Sequence, residues 1–217
     1  MSDQARIAII YYSSTGHAHQ LAEAYEEGAK AAGAEVRVRR VSELAPQAAI
    51  DSNPGWKAHA ETVKDLPVAT LDDLEWANGY VFGSPTRYGA IAAQLKQFID
   101  SAGPLWMAGK LADKAATAFA GAMNPQGGQI NTLQNIYHVM QHWGAIIVPP
   151  GYTDQSIYAA GGSPYGIVYH TGSFEPIALP EEVLAAGRYM GGRVARYSAV
   201  LEANRARLVS EPSVSRN

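Results

Sequence analysis

Residues 6–18 read RIAIIYYSSTGHA, and this stretch decides the fold. Arg6 to Tyr12 is an unbroken run of apolar, β-branched and aromatic residues, as a strand buried on both faces requires. Ser13 to Gly16 is a short polar turn. From there the spacing changes. Ala18, Leu21, Ala22, Tyr25 and Ala29 recur at intervals of three and four, one face of a helix. Gly33 stands where helices commonly end. Glu35 to Val41 then alternates as a second strand. Strand, helix and strand in that order make a βαβ unit, with a right-handed crossover and parallel strands.

The alternation continues outward. Gly79 to Phe82 (GYVF) is a short buried strand. A helix is expected over Ala90 to Ser101, with Ile91, Leu95, Phe98 and Ile99 on one face. Ala115 to Ala122 reads as a strand of small residues. Ile130 to Trp143 reads as a helix, and Ala145 to Val148 as a fifth strand ended by Pro149 and Pro150. Glu181 to about Asn204 is a terminal helix in which Gly187, Gly191 and Gly192 each cost about 1 kcal/mol relative to Ala. Two stretches break the pattern. Ser42 to Asn78 carries Pro46, Pro54 and Pro67 and reads as short helices or a functional excursion. Gly151 to Pro180, rich in Gly, Pro and Tyr, reads as a surface excursion. The whole is α/β and doubly wound, with five parallel strands. One domain is expected over residues 1–208, with insertions at about 42–78 and 151–180 and a flexible tail at 209–217.

Composition narrows the function. Hydrophobic residues make up 47% and charged residues 17% of the 217, a globular balance. The net charge of −3 and the single basic group Arg37, Arg39, Arg40 predict no nucleic-acid partner. The chain has no cysteine. Disulfides, thiolate zinc sites, iron–sulfur clusters and CxxC chemistry are excluded, so a redox role would fall to a bound cofactor. Met1 to Ala5 is short and polar, and no stretch is long and apolar enough to span a bilayer. A cytoplasmic protein without a membrane partner is expected.

In doubly wound sheets ligands bind beyond the carboxyl ends of the strands, so the loops after each strand carry the functional signal. After the first come Ser13, Ser14, Thr15, Gly16, His17 and Ala18: hydroxyls, a glycine and the free N–H groups of a helix start, which suit an anion. Helix capping by Ser and Thr explains the same residues equally well. After the third come Gly83, Ser84, Pro85, Thr86, Arg87, Tyr88 and Gly89, where a guanidinium beside an aromatic makes a wall for a planar heterocycle. After the fourth comes GAMNPQGG, residues 121–128, whose backbone N–H groups suit the carbonyl edge of a flavin or simply a flexible connector. The fingerprints G-x-G-x-x-G, G-x-x-x-x-G-K-[ST], G-x-S-x-G and HExxH are absent from the chain. His138 and His142 share a helix face, but no third ligand accompanies them, so no metal is expected.

Taken together, SSTGH between strand and helix, GSPTRYG, a Gly-rich third loop, HWG before the fifth strand and GGSPYG at 161–166 resemble the WrbA family of NAD(P)H:quinone oxidoreductases. These are flavodoxin-like FMN proteins, also called tryptophan repressor-binding proteins, and the similarity covers most of the chain. It implies a five-stranded flavodoxin-like sandwich of strand order 2-1-3-4-5 with helices on both faces. It implies that Ser13 to Ala18 hold the FMN phosphate, that Pro85, Thr86, Arg87, Tyr88 and Gly89 flank the ribityl chain and ring, and that Ala122, Met123, Asn124, Gln126 and Gly127 line the polar edge of the ring. His142 matches a histidine that approaches the flavin and is the catalytic candidate. Trp106 matches an aromatic that stacks on substrate, and Thr15 a position that meets the nicotinamide nucleotide. The implied reaction is two-electron, ping-pong reduction of quinones by NAD(P)H. The implied assembly is a homotetramer with each FMN site at a subunit junction, and Tyr152, Tyr158, Tyr165 and Tyr169 suit such an interface or the domain's own core. Two departures stand out: Thr15 is small where the family often has an aromatic, and the third loop lacks the family's Ser/Thr-Gly run. An electron carrier like flavodoxin, a flavin reductase acting on azo or nitro compounds, and a non-enzymatic repressor-associated protein are the alternatives.

Overall fold

A computed structural model of the chain describes residues 4–172 and 178–208. The expected tail at 209–217 lies outside the described residues. The first half holds β1 (Arg6–Tyr11), α1 (His17–Ala31), β2 (Glu35–Arg40), α2 (Gln47–Asp51), α3 (Pro54–Thr62), α4 (Leu71–Trp76), β3 (Gly79–Arg87) and β4 (Ala90–Ile91). The second half holds α5 (Ala93–Ser101), α6 (Gly103–Met107), β5 (Ala115–Ala122), α7 (Gln129–Trp143), β6 (Ile146–Ile147), α8 (Gln155–Ala159), β7 (Ile167–His170), α9 (Glu181–Ala203) and α10 (Arg205–Leu208).

The main strands run in the order β2-β1-β3-β5-β6, all parallel. This is the 2-1-3-4-5 order of the five expected strands. Two further strands correct the sequence reading. β3 does not stop at Phe82: Gly83, Ser84 and Pro85 still pair with Phe119, Ala120 and Gly121. Ala90 and Ile91, expected to open a helix, fold back on Arg87 and Thr86 as the antiparallel β4. The second addition is β7, inside the expected surface excursion. It pairs parallel with Phe119 to Ala122, whereas β6 pairs with Ala115 and Ala116. β3 occupies the other side of β5, so β6 and β7 lie on one edge. They form a single interrupted strand.

Alternation along β1 separates the two cores. Ile7, Ile9 and Tyr11 point to one face and pack with Leu21, Tyr25, Met190 and Val194 of α1 and α9. Ala8, Ile10 and Tyr12 point to the other, with Leu74, Leu95, Leu133, Ile136 and Trp143. The glycines of α9 have a packing role. A Cβ on Gly191 would stand 2.0 Å from the carbonyl oxygen of Tyr25, so the two helix backbones meet there. The expected short helices of residues 42–78 are α2, α3 and α4. α2 and α3 follow the carboxyl end of β2, whereas α4 runs back alongside it, with Arg37 and Arg39 donating to Asp73 and Arg6 to Trp76 O. Among the described residues, no helix is long and apolar enough to cross a membrane.

Candidate functional site

The carboxyl ends of β1, β3, β5 and β7 open onto one cleft of about 410 Å³. That lies within the range of small-ligand sites, roughly 300–1,000 Å³. The loop after β1 supplies Ser13, Ser14, Thr15, His17 and Ala18 to its lining. Gly16 caps α1 in the left-handed region, φ 95°, with no side chain capping the helix. Its own N–H donates to Ser13 Oγ at 3.1 Å, which closes the turn. The hydroxyl of Ser13 is thus spent on the loop and not on the helix end. α1 has no acidic residue in its first turn. Its N-terminal N–H groups and dipole therefore meet the cleft uncompensated by a carboxylate, which favours an anion there.

The end of β3 supplies Pro85, Thr86 and Arg87. Arg87 Nη1 donates to Thr86 O at 3.1 Å. Thr86 Oγ1 accepts from Gly89 N at 3.1 Å and from Thr132 Oγ1 at 2.9 Å, which fastens the β3–β4 turn to the start of α7. The loop after β5 supplies Gly121, Ala122, Met123, Asn124 and Gly127. It is held from below by Gln129, whose Nε2 donates to Asn124 O at 2.8 Å. It is held from the side by the continuation of β7, where Thr171 N donates to Ala122 O at 3.0 Å and Gly172 N to Met123 O at 2.9 Å.

No Asp or Glu lines the cleft among the described residues, and Arg87 is its only guanidinium. The lining is otherwise hydroxyl, backbone and aromatic. Phosphate, ribityl hydroxyls and a planar ring each find matching chemistry in such a wall. The residues present therefore fit FMN.

Several expected site residues lie elsewhere. Gln126 is exposed and outside the lining. Tyr88 is fully exposed at the tip of the β3–β4 turn with φ 55°, and neither it nor Gly89 lines the cleft. Trp106 and His142 come together, but not at the cleft. Trp106 Nε1 donates to His142 O at 3.2 Å, and their ring centroids are 5.4 Å apart. His142 sits at the end of α7 away from the cleft, about 20 Å along the helix from Gln129 at 1.5 Å per residue. Tyr169, expected at an interface or in the domain's own core, is buried in the core and also lines the cleft. Burial raises its hydroxyl pKa, so the phenol stays neutral. Tyr152, Tyr158 and Tyr165 are exposed, the first two stacked with centroids 5.2 Å apart.

Four lining residues escaped the sequence reading: Asn53, Trp56, Tyr169 and Thr171. Asn53 and Trp56 come from the 42–78 segment. Asn53 Oδ1 accepts from Trp56 N at 3.0 Å as the N-cap of α3, with Pro54 at the first helical position. Asn-Pro ahead of a Trp was the available signal. Trp56 Nε1 donates to Glu43 Oε2 at 3.2 Å, and Glu43 also accepts from Tyr12, Gln94, Leu44 and Ala45. Burial opposes the charge on Glu43, but these hydrogen bonds outweigh it and hold the carboxyl below its ordinary range.

Residues 5–156 match the model of the family described as NADPH-dependent FMN reductase. The chain belongs to that family. Among its relatives, a Deinococcus radiodurans protein named NAD(P)H dehydrogenase (quinone) is 50% identical over 76% of this chain and 83% of its own. One of the same name from Sinorhizobium fredii is 38% identical over 91% of this chain and 98% of its own. In fold, the reductase-family chain is similar to a WrbA-like flavodoxin structure from Agrobacterium tumefaciens, with TM-score 0.64 and 23% identity over 90% of this chain and 98% of that one. It is also similar to an archaeal flavodoxin, TM-score 0.56 at 18% identity, covering 89% and 98%. The flavodoxin-like architecture and the family resemblance read from the loops agree with these matches.

Proposed function

We propose that this chain is an FMN-dependent NAD(P)H:quinone oxidoreductase. The observation that carries the reading is the carboxylate-free cleft at the strand ends, bounded by the N-terminus of α1, Arg87 and the Gly121–Gly128 loop. The family membership and the names of the relatives support the same activity.

The residues divide the work. Ser14, Thr15 and the first turn of α1 hold the phosphate, with Ser13 fixing the loop and Arg87 closing it from β3. Pro85 and Thr86 flank the ribityl chain and ring. Backbone N–H groups of Ala122 to Gly127 stabilise negative charge at the polar edge of the ring. FMN, held by these residues, would supply two-electron hydride chemistry between NAD(P)H and a quinone. Tyr169 and Trp56 keep water from two sides of the cleft.

His142 and Trp106 enter this scheme through assembly. Their distance from the cleft of their own chain is compatible with a role at a neighbour's cleft, in a homotetramer whose FMN sites lie at subunit junctions. A cytoplasmic location belongs to the same reading.

The test is a visible absorption titration of the purified chain with FMN, followed by NADH oxidation with and without benzoquinone. One FMN per chain and quinone-dependent NADH oxidation are expected. FMN bound but not reducible by NADH points to an electron carrier. No FMN binding overturns the reading.

A further inference from the structure

His59 belongs to α3, on the 42–78 segment, yet its ring lies against the loop after β1. Its Nδ1 would stand 3.3 Å from a Cβ on Gly16. Its centroid is 5.6 Å from that of His19. His19 Nδ1 is hydrogen-bonded to the hydroxyl of Tyr11, and its Nε2 is 3.3 Å from Glu23 Oε1. His17 Nδ1 is 3.1 Å from Thr15 Oγ1. Three imidazoles from two helices thus surround the turn assigned above to the phosphate. They do not form a metal site: among the described residues no three His, Asp or Glu side chains are grouped to hold an ion.

His59 is buried and, among the described residues, pairs with no carboxylate. Burial, then the charges of His19 and His17, push its pKa down to about 4. It lines a second cavity of about 200 Å³ that shares Ser13 and Trp56 with the cleft, and that also exposes Arg40, Glu43 and Lys64. Of these, Glu43 is occupied by its five donors, and Arg40 donates to Leu66 O and Lys64 O. The ring therefore has room for a proton to reach it but, among the described residues, no ion-pair partner to retain one, Glu43 being engaged by its own donors. A phosphate on the far side of Gly16 would be such a partner.

We propose that His59 links FMN binding to proton uptake, gaining a proton when the phosphate fills the loop at residues 13–18 and so tightening the hold on it. This rests on the FMN assignment made above. The sign is distinctive. A phosphate monoester has its second pKa near about 6 and, bound as a dianion, releases protons on binding at mildly acidic pH. Uptake by His59 runs the other way, and affinity then rises as pH falls.

Isothermal titration calorimetry of the full chain with FMN, in two buffers of different ionisation enthalpy, counts the protons. Riboflavin, which lacks the phosphate, is titrated in parallel. Net uptake is expected with FMN and none with riboflavin, and the FMN Kd should tighten about three- to tenfold from roughly pH 8 to pH 6. In His59→Gln and His59→Asn, checked for folding by circular dichroism, the uptake disappears and the pH profile flattens or inverts. Proton release or no exchange in the wild type overturns the proposal without needing a variant. Full uptake retained in both variants assigns the proton to His17 or His19 and equally overturns it. FMN binding with a flat pH profile sinks this inference alone, whereas no FMN binding at any pH sinks it together with the cofactor assignment.

Discussion

Arg87 Nη2 donates to Ser14 Oγ at 3.4 Å, and this contact joins the turn at the end of β3 to the loop after β1. The two loops are 73 residues apart in the chain. They meet because β1 and β3 are neighbours in the sheet, with Tyr11 opposite Gly83. The one guanidinium of the cleft is therefore already aimed at the anion end.

Arg87→Ala should weaken FMN binding about tenfold, in line with loss of one partly exposed charge-assisted contact. Riboflavin affinity should change by less than about threefold. Arg87→Lys should recover only part of the loss, because an ammonium lacks the planar fork. Fluorescence titration with both ligands checks this. Equal losses for FMN and riboflavin would mean that Arg87 acts on the ring and not on the phosphate.

Gly191→Ala sets helix propensity against packing. Propensity favours Ala by about 1 kcal/mol. The added Cβ meets the Tyr25 carbonyl oxygen at 2.0 Å, a backbone atom that moves only with the helix. Such overpacking costs about 1–3 kcal/mol or more, so packing should win and stability fall by about 1–2 kcal/mol. A thermal melt should drop by about 2–8 °C. A rise would show that α1 and α9 can part without penalty.

Tyr88→Gly tests the exposed turn. A tyrosine at φ 55° is strained, whereas glycine takes that conformation freely. The fold should gain about 1 kcal/mol in urea unfolding. If Tyr88 covers a bound ring or a neighbouring chain, the same variant should lose flavin affinity or assembly. A gain in stability with both unchanged would leave the tyrosine without a role at the site.

His59 should make the ligand-free protein acid-sensitive. Its folded pKa of about 4 lies below the ordinary histidine value, so between roughly pH 6.5 and 4 the unfolded chain binds more protons than the folded one. Stability is lost as pH falls through that window, by at most about 3 kcal/mol. His59→Asn should remove this loss and leave a flatter profile in denaturant titrations at several pH values. An unchanged slope would mean that the ring is not as protected from protons as its burial requires.

His142→Ala should leave the FMN Kd within about twofold while slowing quinone turnover per bound flavin about tenfold or more. Analytical ultracentrifugation alongside the kinetics separates a direct role from loss of assembly. Loss of FMN with unchanged turnover would dismiss His142 from the reaction.

The sheet was legible in the sequence because its strands are buried on both faces and read as apolar runs. β1, β5 and α1 are where their periodicity puts them. The elements that escaped are short or paired with distant partners. Ile167 to His170 alternates over only four residues, and its register comes from Phe119 to Ala122, which local pattern cannot announce. Gly83 to Arg87 reads as a turn by composition, yet the ladder to β5 keeps it extended. At the cleft, the loops after β1, β3 and β5 were readable from topology, since ligands gather beyond strand ends. Asn53 and Trp56 were not, nor was His59 beside the loop after β1, because α3 reaches this region through tertiary packing of an irregular segment. His142 and Trp106 were matched by resemblance, and their separation from the cleft is a matter of helix length that motif spacing does not carry.

The interruption between β6 and β7 offers a seam for engineering. Both halves of the edge are clamped independently by β5, one at its start and one at its end, and between them Ile157 is buried in the core. An insertion therefore belongs at Gly161 and Gly162, where an added Cβ meets nothing within 4 Å. A grafted peptide there would leave the sheet and its register intact.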